Sequence, residues 1–335
     1  MSDSTVLDVR HLCVDFKTRK GQVRVVHDIS FRAEHGKTLG IIGESGCGKS
    51  MTALALMRLV PDPPGRISDG CVELNGEDLV TVSDERMREI RGRHMSMIFQ
   101  EPMTALNPVF SVGDQIAEVL RRHAGLNRDR AWSKAEELLR QVHIPEPTRR
   151  LREYPHQLSG GMRQRVMIAM AIACEPDVLI ADEPTTALDV TVQAQIFDLL
   201  KEIQHRRGMS MILITHDFGA IGEMADHVIV MYAGHKVEEG PVRSIVNDPR
   251  HPYTQGLLRC VPEISAVHGE ERPVLAEIPG TVPGIYDQAA GCPFAARCPH
   301  AMSLCSESLP ESFSISSGHF TRCWLADGEL YRKDA

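Results

Sequence analysis

The sequence predicts an α/β domain followed, from about residue 240, by a smaller proline-rich region. Short apolar runs alternate with longer stretches of helical periodicity, which is the pattern of an α/β chain. Three of those runs, Thr38–Ile42 (TLGII), Val178–Ala181 (VLIA) and Met211–Thr215 (MILIT), are each followed at once by polar residues. Buried strands look like this when their carboxyl ends open onto a site. The last 96 residues hold ten of the 20 prolines, and five of the nine cysteines fall after residue 259, so the composition changes along the chain.

The 335 residues carry 37 Lys and Arg against 45 Asp and Glu, a formal charge of −8, with 42% hydrophobic and 24% charged residues. These proportions are ordinary for a globular chain and exclude disorder, collagen and coiled coil. No run approaches the ~18 uncharged apolar residues needed to cross a bilayer; Val166–Cys174 is among the longest, at nine. The first ten residues lack the basic-then-apolar pattern of a secretory signal. A cytosolic chain is therefore expected, with thiols or metal ligands rather than disulfides. The mild acidity argues against a nucleic-acid partner.

Taken in chain order, the first functional segment follows the TLGII strand. Gly43, Glu44, Ser45, Gly46, Cys47, Gly48, Lys49 and Ser50 fit GxxxxGK[ST] between that strand and a helix over about 50–60. The glycines let backbone N–H groups converge on phosphate oxygens, and the helix N-terminus adds a favourable dipole. Lys49 is placed to reach the β- and γ-phosphates of ATP, and the Ser50 hydroxyl to ligate Mg²⁺. Cys47, inside this loop and near a helix N-terminus, is expected to be a reactive thiol that ATP protects. Residues 101–172 have the periodicity of a helical insertion, for instance AWSKAEELLRQV. Within it, Leu158-Ser159-Gly160-Gly161 precedes the run MRQRVMIAMAIA, making a second helix N-terminus with exposed N–H donors. The VLIA strand ends in Asp182 and Glu183. A buried acid is costly unless it meets a cation, so Asp182 is a natural Mg²⁺ partner. Glu183 is placed to polarise an attacking water as general base.

The order of phosphate loop, LSGG and acidic strand end resembles the ATP-binding cassette (ABC) family. That resemblance implies a P-loop NTPase fold of the ABC type: a RecA-like core, an antiparallel β subdomain and a helical subdomain over about 101–172, all within residues 1–239. It implies further roles residue by residue. Gln100, after Met95–Phe99, matches the Q-loop glutamine and would share the Mg²⁺. Asp189 matches the D-loop and His216, after MILIT, the switch histidine beside the γ-phosphate. Phe16 lies where the family's adenine-stacking aromatic lies. Ser159, Gly160 and Gly161 would act on the ATP of a second cassette, so hydrolysis would need a dimer. Met162 departs from the glutamine most cassettes carry there.

The tail narrows the resemblance. PRHPYTQGLL (249–258) and IPGTVPG (278–284), with QEPMTALNP (100–108), YPHQLSGGM (154–162) and ADEPTTALDVTVQAQI (181–196), resemble oligopeptide and dipeptide importers, and most of all the D-type ATPase subunits of bacterial dipeptide permeases. The implied role is to hydrolyse ATP and energise uptake of dipeptides or short oligopeptides. The implied partners are a homologous second ATPase, two transmembrane permease subunits and, indirectly, a substrate-binding protein, on the cytoplasmic face of the inner membrane. Import of another solute, such as nickel or a glycoside, and a soluble non-transport ABC role are the alternatives.

Residues 240–335 carry one further feature. Cys292, Cys298, Cys305 and Cys323 lie within 32 residues, and two of them precede Pro directly. Four soft ligands can close a tetrahedral site. Their gaps are wider than zinc-ribbon knuckles, and iron–sulfur, zinc and unligated thiols are all open to the residues alone. The resemblance to peptide-importer ATPases implies a [4Fe–4S] cluster, acting as a clamp on a tail too polar to form a large core. On this reading residues 1–239 bind ATP without the tail.

Overall fold

A computed structural model describes residues 4–101, 105–186, 188–261, 277–287 and 290–327. Parts of the QEPMTALNP run, Ala187 of the D-loop, and residues 262–276, 288–289 and 328–335 of the tail lie outside them. The chain groups into two units, one of residues 1–8, 31–38 and 71–214, the other of residues 9–30, 39–70 and 215–335.

In the first unit the acidic-ended strand Val178–Asp182 is buried at every position. It pairs in parallel with Met95–Ile98 on one side and with Ser210–Thr215 on the other. A central parallel strand has both faces covered, which is why its sequence is an unbroken apolar run rather than an alternation. The expected helical stretch contains Val112–His123, Arg128–Gln141 and Gly160–Ala171. The second of these buries Ala131, Ala135, Leu138 and Leu139, a stripe at helical spacing. Ser111, Asn127 and Ser159 cap the three helices by accepting backbone N–H groups three residues on.

In the second unit Thr38–Ile42 pairs in parallel with His227–Tyr232, which continues antiparallel into His235–Pro241. The tail then joins this sheet. His319–Thr321 adds antiparallel to His235–Pro241, and Phe313–Ser316 adds to it in turn. Tyr232, Tyr253 and Phe294 pack edge to face beneath, with ring centroids 4.7 and 5.2 Å apart. Glu238 is buried, but its carboxylate accepts from the Arg250 and His251 N–H groups (2.6 and 3.0 Å) and pairs with His319 Nε2 (2.8 Å). The sequence argument that the tail needs a metal staple thus has a correction. An added strand, an aromatic cluster and a satisfied buried carboxylate already anchor it. No helix among the described residues is long and apolar enough to cross a membrane.

Candidate nucleotide site

The cradle loop joins Thr38–Ile42 to the helix Lys49–Leu56, which is shorter than the expected 50–60 because Arg58 turns left-handed (φ 48) just past its end. Gly46 and Gly48 have φ of 81 and 100, a region that L side chains enter only with strain. Gly43 is required by close approach: a Cβ there would lie 2.2 Å from the Met231 carbonyl oxygen. Lys49 is only 5% exposed, and its Nζ donates to the Gly43 and Glu44 carbonyls at 2.7 and 3.1 Å. The ammonium therefore sits folded back on the loop, where phosphate oxygens can take over as its acceptors. The Glu44 side chain does not line the loop with the others; it pairs with Arg297 of the tail.

Cys47 overturns its expectation. It is fully buried, with Sγ 2.7 Å from where a Cβ on Gly43 would stand. Burial pushes its thiol up from the ordinary value, and the Lys49 ammonium, 3.9 Å away, only partly opposes this. Loss of hydration outweighs the local positive charge, so the thiolate is disfavoured. Maleimide should leave Cys47 unlabelled in the native protein with or without ATP, and label it in denaturant; mass spectrometry of the peptide containing Cys47 checks this. Phe16, on the strand Thr5–Thr18, is half-buried with its ring edge packed over Gly65, where a Cβ would lie 2.7 Å from Cζ.

In the other unit, Asp182 and Glu183 close the strand end and both are buried. Glu183 has φ 46, an uncommon conformation for a residue with a Cβ, held by its N–H donating to the Ile214 carbonyl at 2.9 Å. Its carboxylate Oε2 accepts from Gln100 Nε2 (3.0 Å) and Thr186 Oγ1 (2.8 Å). Parallel pairing of Met95–Ile98 with Val178–Asp182 brings Gln100 to Glu183 across 83 residues. Sequence reasoning missed Thr186; the signal was a hydroxyl three residues past the acid, within reach once the chain turns.

Ser159 stands at the N-cap of its helix, with Oγ accepting the Met162 N–H at 3.3 Å. A Cβ on Gly161 would lie 2.9 Å from Val192, so glycine lets Val190–Arg207 approach the start of that helix. Asp189 caps Val190–Arg207 through the Val192 N–H (2.9 Å), and the adjacent Val190 is 80% exposed. His216 follows Ser210–Thr215 and is exposed.

Cys292, Cys298, Cys305 and Cys323 do converge: all four are free thiols lining one narrow pocket with His251, Phe294 and Trp324. Burial, and more weakly the neighbouring thiols, push Cys292 up to about 11 and Cys323 up to about 12. Among the described residues, however, no group of three or more His, Cys, Asp or Glu side chains is arranged to hold a metal ion. The expected iron–sulfur ligand set is therefore not formed by this geometry. One feature of the pocket does suit an anionic centre. His251 accepts the Tyr253 N–H at Nδ1 (3.1 Å), and burial drives its pKa down to about 3, so the neutral ring carries its proton on Nε2. That Nε2 is buried and has no hydrogen-bond partner among the described residues.

Comparison with known proteins identifies the family. Residues 26–186 match the ABC transporter family model, and residues 237–305 match that of the oligopeptide/dipeptide transporter C-terminal region. The dipeptide transport ATP-binding protein DppD of Bacillus subtilis is 50% identical over 322 residues, covering 96% of this chain and 95% of that protein. DppD of Escherichia coli is 48% identical over 318 residues, covering 95% and 96%. The oligopeptide transport ATP-binding protein OppD of B. subtilis is 48% identical over 320 residues, covering 96% and 88%. Among solved structures, the dimeric post-hydrolysis state of the ATP-binding cassette MJ0796, bound to ADP and Pi, superposes with a TM-score of 0.64 at 25% identity, covering 71% of this chain and 99% of that one. The chain belongs to the ABC transporter ATP-binding family, in the branch that carries the oligopeptide/dipeptide C-terminal region.

Proposed function

We propose that this protein hydrolyses ATP to power import of dipeptides or short oligopeptides. The observation that carries the reading is a phosphate cradle with its lysine in place, in a chain whose tail matches the peptide-transporter region. Residues 1–239 act as the nucleotide-binding domain, with residues 101–172 as its helical part, and residues 240–335 as the extension. Lys49 and the loop N–H groups of residues 43–50 take the phosphates, and Phe16 stacks on the adenine. Glu183 takes a proton from the attacking water, oriented by Gln100 and Thr186. His216 supports the γ-phosphate. Ser50, Asp182 and Gln100, a hydroxyl, a carboxylate and an amide, are the oxygen donors that would hold Mg²⁺, which neutralises phosphate charge. Ser159, Gly160, Gly161 and Asp189 face the ATP of a homologous second ATPase.

Two permease subunits complete the assembly, and a substrate-binding protein delivers the peptide. Phe99, Val109 and Phe110 are exposed on the surface after Met95–Ile98, and Phe110 lines a cleft with Asp114, Glu118, Arg121 and Arg122. Such a mixed apolar and charged cleft suits a short helix of a membrane subunit. The protein works peripherally at the inner face of the membrane. The test is to purify the assembled transporter and measure ATP turnover with binding proteins loaded with different solutes. Stimulation by the peptide-loaded protein is expected; stimulation only by a nickel- or glycoside-loaded one overturns the substrate, and co-purification with ribosomes instead of membrane subunits overturns the transport role.

The four tail cysteines, which share one pocket without standing arranged as a ligand set, would have to close on a metal centre, with [4Fe–4S] favoured over zinc. Their support is the shared pocket and the orphaned His251 Nε2–H, which would donate to an anionic sulfur. When bound, such a centre supplies a clamp rather than a reaction. Protein prepared without oxygen should be brown and carry about four iron atoms per chain. One zinc and no iron would leave only the clamp, and no metal would remove both.

A further inference from the structure

Two tail motifs that ATP chemistry does not require converge on one residue of the cradle. The side chain of Glu44, the second residue of the phosphate loop, takes a forked ion pair from Arg297: Nη1 to Oε2 at 2.7 Å and Nη2 to Oε1 at 3.0 Å. The Arg297 side chain is only 5% exposed. Its other donors are used as well. Nε reaches the Pro279 carbonyl (2.9 Å), Nη2 the Ile278 carbonyl (3.0 Å) and Nη1 the Tyr232 hydroxyl (3.3 Å). Five N–H groups thus have five acceptors, so the guanidinium is locked in position and direction. The IPG turn forms its seat: Gly280 has φ 81, a left-handed conformation, and lies against the Arg297 stem, where a Cβ would touch Cγ at 3.4 Å. The second motif, HPY, delivers Tyr253. That residue is fully buried, and its hydroxyl accepts the Glu44 backbone N–H at 2.8 Å.

Glu44 is of the wrong sign for a loop that receives a triphosphate. Its backbone carbonyl also accepts from Lys49, so moving Glu44 moves an anchor of that lysine. We infer that Arg297, assisted by Tyr253, is a positioning residue of the nucleotide cradle: it cancels the Glu44 charge, fixes the loop, and makes ATP affinity depend on the folded tail. Arg297 directly precedes Cys298, which lines the four-cysteine pocket, so a disturbance of that pocket displaces the clamp. Residues 1–239 alone, which by sequence bind ATP unaided, hold Glu44 without Arg297 or Tyr253 and bind ATP more weakly. The inference rests on residues 43–50 being the cradle.

The test uses the full chain, a fluorescent ATP analogue for Kd, and the assembled transporter for KM and kcat. Arg297→Met should raise the Kd and the KM for ATP about tenfold, an ordinary coupling between two sites, with kcat nearly kept. Adding Glu44→Gln should restore affinity, because the uncompensated charge is gone. Unchanged affinity in folded Arg297→Met overturns the inference. So does a double variant as weak as the single one, which would make the loss merely structural. Should Arg297→Met not fold, Arg297→Gln removes the charge while keeping amide donors; a weaker affinity that Glu44→Gln relieves supports the inference, and an unchanged one overturns it. Lys49→Ala separates the two readings: if it binds ATP normally, the cradle assignment fails, whatever Arg297 does.

Discussion

Glu183→Gln should bind ATP with near-normal affinity and lose roughly 10²–10⁴-fold in hydrolysis, the usual contribution of a positioned general base. The separation of binding from turnover follows from the local geometry. The hydrogen bonds that Gln100 and Thr186 donate to the Glu183 side chain both fall on one oxygen, Oε2. A glutamine carbonyl can keep both, so the side chain stays in place while its ability to accept a proton disappears. The left-handed backbone at this position is unaffected, since either residue meets the same strain. Phosphate release measured beside nucleotide affinity checks the split, and sedimentation should find a closed, ATP-bound pair with the proposed second ATPase. Hydrolysis at the normal rate would show that another group activates the water.

Lys49→Ala should fail one step earlier. Removing the ammonium takes away the lysine donor to the Gly43 carbonyl, leaves the Glu44 carbonyl with only the Cys47 N–H (3.2 Å), and removes the buried cation that meets the phosphates. A loss of about 100-fold or more in ATP affinity is expected, from truncating a buried, hydrogen-bonded charge. Thermal melting reads it directly. A ligand that binds only the folded state raises the melting temperature, so ATP should stabilise the unsubstituted protein and have no effect on the variant at the same concentration. An ATP-dependent shift as large as that of the unsubstituted chain would remove Lys49 from the site.

These two variants test residues that are legible in the sequence, and Cys47 shows the boundary of that legibility. Lys49 and Cys47 lie two positions apart in the same loop. The role of Lys49 follows from the loop pattern itself, because the backbone turn, the glycines and the charge are all local. The state of Cys47 depends on what surrounds the sulfur, including a Gly43 that is pressed against Met231, and nothing within the motif declares that. Desolvation is a property of the filled space around an atom, so its contest with the Lys49 charge is decided only after folding. Glu183 divides in the same way. Its place at the end of an apolar strand is local, whereas its contact with Gln100 exists because two parallel strands align their ends.

The sequence by itself determined the phosphate loop, the acidic strand end, the glycine-rich helix start and the α/β alternation, since each is carried by consecutive residues whose backbone needs are short-ranged. The tertiary structure alone decided how the tail belongs to the molecule. Composition presented it as a proline-rich appendage with four thiols. Its strand His319–Thr321, the buried Glu238 and the reach of Arg297 across 253 positions instead build it into the sheet and onto the cradle. Those pairings join residues with no local pattern in common, and only burial selects them. A carboxylate or guanidinium taken out of water must find its partners wherever the chain brings them.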